Sequence, residues 1–307
     1  MRKTCLDMVY EIAKTDRNVF FIGSDLGTGT LQKFKDEMPE RFFMEGISEA
    51  NVIGMAAGLA LEGKTVYVNT ISTFITRRCF EQIVIDLCLH NVNVRLIGNG
   101  GGLVYAPLGP THETIEDIAI LRAVPNMTIL VPADADEMRR LMPLTAKHNG
   151  PIYIRLAKGN DPIVTPKDKT FEIGKAVPLR EGSDILIITT GICLGIALEV
   201  SDRMNKEGKS IAVIHMPTIK PFDKETVLEY AQRVHAIITI EEHTILGGLG
   251  SAVSEVIAEA DFSVPKRFRR IGIPDMFPAE YGSQTGQMEG FGISADYAIK
   301  TIRELSK

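Results

Sequence analysis

Short runs rich in β-branched and aromatic residues alternate with longer segments of helical periodicity almost from end to end of this chain. That alternation points to parallel sheets joined by crossover helices. The strand candidates are 18–23 (NVFFIG), 41–45 (RFFME), 64–69 (KTVYVN), 93–98 (NVRLIG), 127–132 (MTILVP), 151–156 (PIYIRL), 184–189 (DILIIT), 210–216 (SIAVIHM), 235–241 (HAIITIE) and 266–272 (KRFRRIG). Several are apolar on consecutive residues, as expected of strands covered on both faces. Helical segments are expected at 49–62, 74–91, 135–148 and 191–207.

The rhythm lapses between Leu156 and Pro178, in a stretch of mixed charge with several prolines, before a fresh strand–helix series begins. A boundary near residue 165 divides the chain into 1–165, with about six strands, and 166–307, with four or five. The expected fold class is therefore α/β: two consecutive domains with mainly parallel sheets. A chain of 307 residues with 45% hydrophobic and 24% charged residues can fill two such cores.

Charge and composition exclude several functions. The net charge of −5 is spread evenly and leaves no basic face for a nucleic-acid polymer or an anionic membrane. The apolar stretch 52–61 is about half of a membrane span, and Asp7 and Glu11 interrupt any signal-peptide core, so the expected location is cytoplasmic. Cys5, Cys79, Cys88 and Cys193 form no C-x-x-C pair, the six histidines lack metal-ligand spacing, and no G-x-S-x-G elbow occurs, so no metal site is assigned to this chain. The glycine patterns at 247–251 and 290–295 read as helix starts rather than nucleotide fingerprints, because the first has no partner glycine pattern or Walker lysine and the second has neither a following strand nor an acid about 20 residues on.

In open parallel sheets ligands bind beyond the carboxyl ends of the strands, and four loops there are unusual: 23–30 (GSDLGTGT), 46–51 (GISEAN), 72–78 (STFITRR) and 99–113 (NGGGLVYAPLGPTHE). Glu49 opens a helix that Ser48 can cap, and the bland reading is that it complements the helix dipole. The small residues that follow it suit close packing against a sheet or another subunit. Phe74 fits either a core position or a stack on a planar ring. Of Arg77 and Arg78, one is expected to bind an anion and the other to face solvent. His112 stands where it can exchange a proton with a ligand, although a single histidine is more often structural.

Taken together these motifs resemble the transketolase family, specifically its C-terminal half: the pyrimidine-binding domain followed by the transketolase C-terminal domain. The resemblance spans the whole chain and rests on G-I-S-E-A-N-V-I-G-M-A-A-G-L-A (46–60), S-T-F (72–74) before Arg77, and G-P-T-H-E (109–113). Over the second half it rests on D-I-L-I-I-T-T-G (184–191), E-E-H (241–243), G-G-L-G-S (247–251) and F-G-I-S (291–294). It implies thiamine diphosphate chemistry at a subunit interface. Glu49 would hydrogen-bond the pyrimidine ring nitrogen, since a carboxyl in a dry pocket can share a proton with it at neutral pH. Phe74 would stack on the ring, Asp25 would shape its pocket, and His112 would face the substrate oxygens. Arg77 and Lys158 match phosphate-binding positions, Lys158 standing for an arginine and so lacking the bidentate fork.

The same resemblance implies a partner. The family's G-D-G motif and downstream Asn, which hold Mg2+ and the diphosphate, do not occur here, and the chain opens on the pyrimidine domain. A split enzyme is therefore expected, active only with an N-terminal-half subunit in an α2β2 heterotetramer and transferring a two-carbon ketol unit between sugar or sugar-phosphate substrates. Leu108 stands where the family's aspartate contacts an acceptor hydroxyl, which points to a modified sugar. The alternatives are a 2-oxo acid dehydrogenase beta-type subunit, which usually shows a Q-H-S segment in place of G-P-T-H, and a non-catalytic regulatory subunit of the same fold.

Overall fold

The computed structural model describes residues 1–24, 29–157, 159 and 161–306. Among the described residues twelve strands form two sheets. The first is built from β1 (Val19–Gly23), β2 (Phe42–Met44), β3 (Thr65–Ile71), β4 (Val94–Asn99), β5 (Thr128–Leu130) and β6 (Ile152–Leu156). The second is built from β7 (Val177–Arg180), β8 (Ile185–Thr189), β9 (Ile211–His215), β11 (Ala236–Thr244) and β12 (Arg267–Ile273). The remaining strand, β10 (Thr218–Lys220), leaves the second series and pairs antiparallel with β5, giving a seven-stranded order β10-β5-β6-β4-β3-β1-β2. The five-stranded order is β12-β11-β8-β9-β7, with β7 antiparallel at its edge and every other pairing parallel.

All ten expected strands are present, and they behave as two-sided cores should. β8 and β9 are buried at every residue, and β3 at all but its last. Val66, Val68 and Leu96 of the first sheet share one apolar cluster with Leu186, Ile188 and Ile214 of the second, so the cores are continuous across the two sheets. Sequence reading missed the two antiparallel edge strands. β7 contains a proline and is only half-buried beyond Val177, and β10 has three residues, so neither carries an apolar run.

The helix expected over 74–91 is broken. It runs as Ser72–Arg77, then Phe80–Gln82, then a π-helical stretch Ile83–Leu89. The break turns successive side chains toward different neighbours, and both arginines lie at it. Elsewhere the helices match their expected spans closely, as at Glu49–Leu61, Ala135–Lys147 and Cys193–Lys206. Asp134 caps Ala135–Lys147 by accepting from the N–H of Asp136 and Glu137, and its other oxygen takes the N–H of Val164 and Thr165, which ties the inter-sheet connection to the first sheet. Among the described residues no helix is long and apolar enough to cross a membrane.

Candidate active site

Ser24, just after β1, and the loops that follow β2, β3 and β4 meet at one edge of the first sheet, where β1 lies between β2 and β3. Glu49 is the first residue of the helix Glu49–Leu61 and is only 2% exposed. Ser48 does not cap this helix as expected; its hydroxyl donates back to the Glu45 carbonyl, 2.9 Å away, and fixes the turn that delivers Glu49. The Ser24 hydroxyl at the end of β1 donates to Glu49 Oε1 at 3.3 Å, so the carboxylate sits between two strand ends.

Phe74 comes from the short helix Ser72–Arg77 that follows β3. Its ring meets the His112 ring edge-on, with centroids 5.2 Å apart and planes at 68°. Tyr105 also presents an edge to His112, at 6.5 Å. The Nδ1 of His112 is within 3.0 Å of the Thr111 hydroxyl, which leaves Nε2 as the nitrogen able to exchange a proton with a ligand. Glu49 and Phe74 thus lie at one site, linked through Arg78, with His112 against the Phe74 ring. Asp25 and Lys158 lie outside the described residues.

The two arginines do not divide as the sequence suggested, because neither is simply turned to solvent. Arg77 is ion-paired with Glu116, with Nη2 to Oε2 at 2.9 Å, and also donates to the carbonyls of Pro110 and Glu113. Instead of standing open to a phosphate, it braces the turn that carries His112. Arg78 donates from Nη1 to Glu49 Oε2 at 2.9 Å and lays its guanidinium over the Phe74 ring, 4.4 Å from the centroid. Sequence reading did not anticipate this pair, since it joins loops that follow different strands.

The geometry provides a direct test of the implied cofactor. A flat, hydrogen-bond-donating group already fits between an aromatic face and a buried carboxylate, which are the two contacts that an aminopyrimidine requires. Glu49 and Phe74 therefore suit the ring. Cys79 lies just beneath, donating to the Phe74 carbonyl, and burial followed by the charge of Glu49 pushes its thiol up to about 12, so it offers no thiolate. Among the described residues no cluster of His, Cys, Asp or Glu is placed to hold a metal ion.

The glycine-rich loop after β4 forms the back of the site. Gly100 and Gly102 both have φ +73°, and a β-carbon would strike the Tyr105 ring at the first and the Glu242 carboxyl at the second. The loop is thus shaped by contacts with a distant element. Leu108 closes the Ala106–Leu108 turn and is 49% exposed, while the ring of Tyr281, from the second half of the chain, packs against Gly109.

Comparison with known proteins agrees with this arrangement. Residues 1–162 match the transketolase pyrimidine binding domain, and residues 174–296 match the transketolase C-terminal domain. The chain is 34% identical over its full length to a 6-deoxy-6-sulfo-D-fructose transketolase subunit of Clostridium sp. (strain MSTE9), covering 94% of that protein. It is also 34% identical over 98% of its length to a 1-deoxy-D-xylulose-5-phosphate synthase of Heliobacterium modesticaldum, of which it spans 46%. Among solved structures, one described as a split gene transketolase, inactive beta4 tetramer, superimposes with a TM-score of 0.90 at 34% identity, covering 99% of this chain and 97% of the other.

Proposed function

From the premise that this chain belongs to the transketolase family, we propose that it is the pyrimidine-binding subunit of a two-component, thiamine diphosphate-dependent transketolase-like enzyme. The reaction is transfer of a two-carbon ketol unit between sugar substrates. The observation that carries this reading is the flat slot between the Phe74 ring and the buried Glu49 carboxylate, with His112 against the same ring. When bound, thiamine diphosphate supplies the electron sink for making and breaking the carbon–carbon bond.

The residues of this chain have separate tasks in that reading. Glu49 holds a proton at the ring nitrogen, and Phe74 fixes the ring plane. His112 moves a proton to or from substrate oxygens through Nε2, on a turn that Arg77 and Glu116 keep in place. Asp25 shapes the ring pocket, and Lys158 contributes a cation toward a substrate phosphate. Leu108 presents an apolar side chain where an acceptor would enter, which favours a deoxy, branched or otherwise modified sugar over an ordinary pentose phosphate. The relative named for a 6-deoxy-6-sulfo sugar supports that preference.

We divide the chain at residue 165 and assign the Mg2+ and diphosphate contacts to a separate N-terminal-half subunit, in an α2β2 assembly. Two features support such a partner: the helix face next to Glu49 is exposed at Asn51, Gly54 and Gly58 with open space above both glycines, and the sulfosugar relative, 94% of which this chain covers, is itself named a transketolase subunit. Calorimetric titration of thiamine diphosphate with Mg2+ is expected to give tight binding only when the partner subunit is present. In that complex Glu49→Gln should lower turnover by ~10²-fold or more without loss of assembly. Tight Mg2+-dependent binding by this chain alone, or full activity of E49Q, would sink the reading.

A further inference from the structure

Arg77 and Arg78 are neighbours with very different attachments. Arg77 has four hydrogen bonds, to Glu116, Pro110 and Glu113. Among the described residues Arg78 has one hydrogen-bond partner, Glu49, and one stacking partner, Phe74, while its side chain remains 47% exposed. Both groups it touches are those assigned to the cofactor ring, and it touches both at once: the guanidinium lies over the aromatic face, with an N–H directed at the carboxylate. A guanidinium and an aminopyrimidine cannot share that space.

We propose that Arg78 is a further residue of the ring-binding site: it fills the slot when no ring is present and sets, by competition, how tightly the ring binds. The proposal rests on the reading of Glu49 and Phe74 given above. An arginine suits this task better than a lysine, because its delocalised plane stacks flat on an aromatic face and its fork meets a carboxylate. A buried carboxylate without a counter-charge is costly, and Arg78 neutralises Glu49 until a ring takes its place. Being half exposed on a side facing solvent, Arg78 can swing out without disturbing packed neighbours.

Competition has a quantitative signature. If the slot is free only a fraction of the time, the apparent dissociation constant rises by the inverse of that fraction. One stacked, charge-assisted contact at a half-exposed position corresponds to about a tenfold effect. The test titrates 4-amino-5-hydroxymethyl-2-methylpyrimidine, the ring portion of the cofactor, into the full chain and follows its NMR line width, so that neither a partner nor turnover is needed. Arg78→Ala should bind this ring about tenfold more tightly than the unaltered chain, and Arg78→Lys should fall between them. Millimolar methylguanidinium should weaken ring binding by R78A, since it refills the slot, while leaving the unaltered chain nearly unaffected.

Equal or weaker ring binding by R78A, or no binding at all once the slot is opened, overturns the proposal. Failure of the underlying site assignment looks different: R78A would bind more tightly, yet the double variant R78A/E49Q would bind just as well, showing that the ring does not rest on Glu49.

Discussion

Two of the arginine–carboxylate centres in this fold, Arg78–Glu49 and Arg155–Asp117, are built on opposite plans. The Arg78–Glu49 pair has one direct hydrogen bond, an exposed arginine head and a carboxylate reached from a loop edge. The other centre lies between the sheets, and its side chains are almost completely buried. There Asp117 Oδ2 accepts from Arg155 Nε at 2.8 Å and Tyr153 OH at 2.7 Å, while Arg155 also donates to the carbonyls of Thr114 and Glu242. Glu242 Oε1 accepts from the Leu103 N–H and from Gln284, and Glu241 caps the helix Leu249–Ala258 by accepting from the N–H of Leu249 and Gly250.

The closed centre carries large titration shifts. Burial pushes Glu241 and Glu242 up to about 7 and His243 down to about 4. Perturbed titration would ordinarily mark a functional site, yet each of these groups is almost completely buried and backed by backbone or side-chain partners. His243 holds a proton on Nδ1, bonded to the Thr244 carbonyl, so Nε2 accepts from the Ala119 N–H; this tautomer is inferred from its partners. The comparison shows that replaceability, more than titration, separates a site from a strut. Glu49 is held by a group that can leave, whereas Asp117 is held by groups that the fold itself requires.

The sharpest way to break this contrast is to remove one arginine from each centre. Arg155→Met leaves Asp117 buried without its counter-charge and should cost about 3–5 kcal/mol in unfolding free energy. Arg78→Ala also strips a buried carboxylate of its counter-charge, but Glu49 keeps the Ser24 hydroxyl and water can enter where the half-exposed arginine head stood, so the cost should be smaller, about 1–2 kcal/mol. Urea denaturation of the two variants measures both numbers. Similar losses would mean that Arg78 is as structural as Arg155.

A finer probe uses pH. A carboxyl raised in the folded state binds its proton more tightly there than in the unfolded chain. The stability this gives is fully present below the ordinary value of 4.5 and is lost as pH rises through about 7. His243, lowered from 6.5 to about 4, acts in the opposite sense: its contribution grows as pH rises between those values. The effects oppose each other at acid pH, so the clean window lies from 6.5 to about 7.5, where stability should fall by of order 1 kcal/mol. Glu242→Gln, which keeps an acceptor for Leu103, should flatten that slope, and a slope unchanged in E242Q would remove the closed centre from the account.

Much of this was legible in the sequence, for identifiable reasons. Strands buried on both faces leave continuous apolar runs, and Glu49, Phe74 and His112 each lie in a short motif at a strand end. The edge strands β7 and β10 left no such trace, because an antiparallel edge needs only a few paired backbone groups. The Arg78–Glu49 pair was hidden because it depends on how far the loops after β2 and β3 approach each other. The glycines at 100–102 read as a shaped loop, but what shapes two of them, the Glu242 carboxyl and the Arg155 side chain, comes from other parts of the chain. Local pattern therefore pointed to the groups proposed to act on a ligand and missed those that hold one another.

The smallest expected change in stability lies on the loop that carries His112, and in the proposed function it is the most informative about substrate. Leu108 is half exposed at the end of a single helical turn, its N–H bonded to the Tyr105 carbonyl 2.7 Å away. Leu108→Asp removes little packing, so the urea midpoint should move by less than about 0.5 kcal/mol in equivalent stability. In the complete enzyme the same change supplies a charged acceptor for an acceptor-sugar hydroxyl, worth about 1.5–3 kcal/mol. Relative kcat/KM should therefore shift toward hydroxylated acceptors by about tenfold or more. A shift in preference at constant stability would place Leu108 among the groups that choose the substrate. A loss of stability comparable to that of R155M would instead show that this part of the loop belongs to the scaffold, and that the open centre is narrower than the slot between Phe74 and Glu49 suggests.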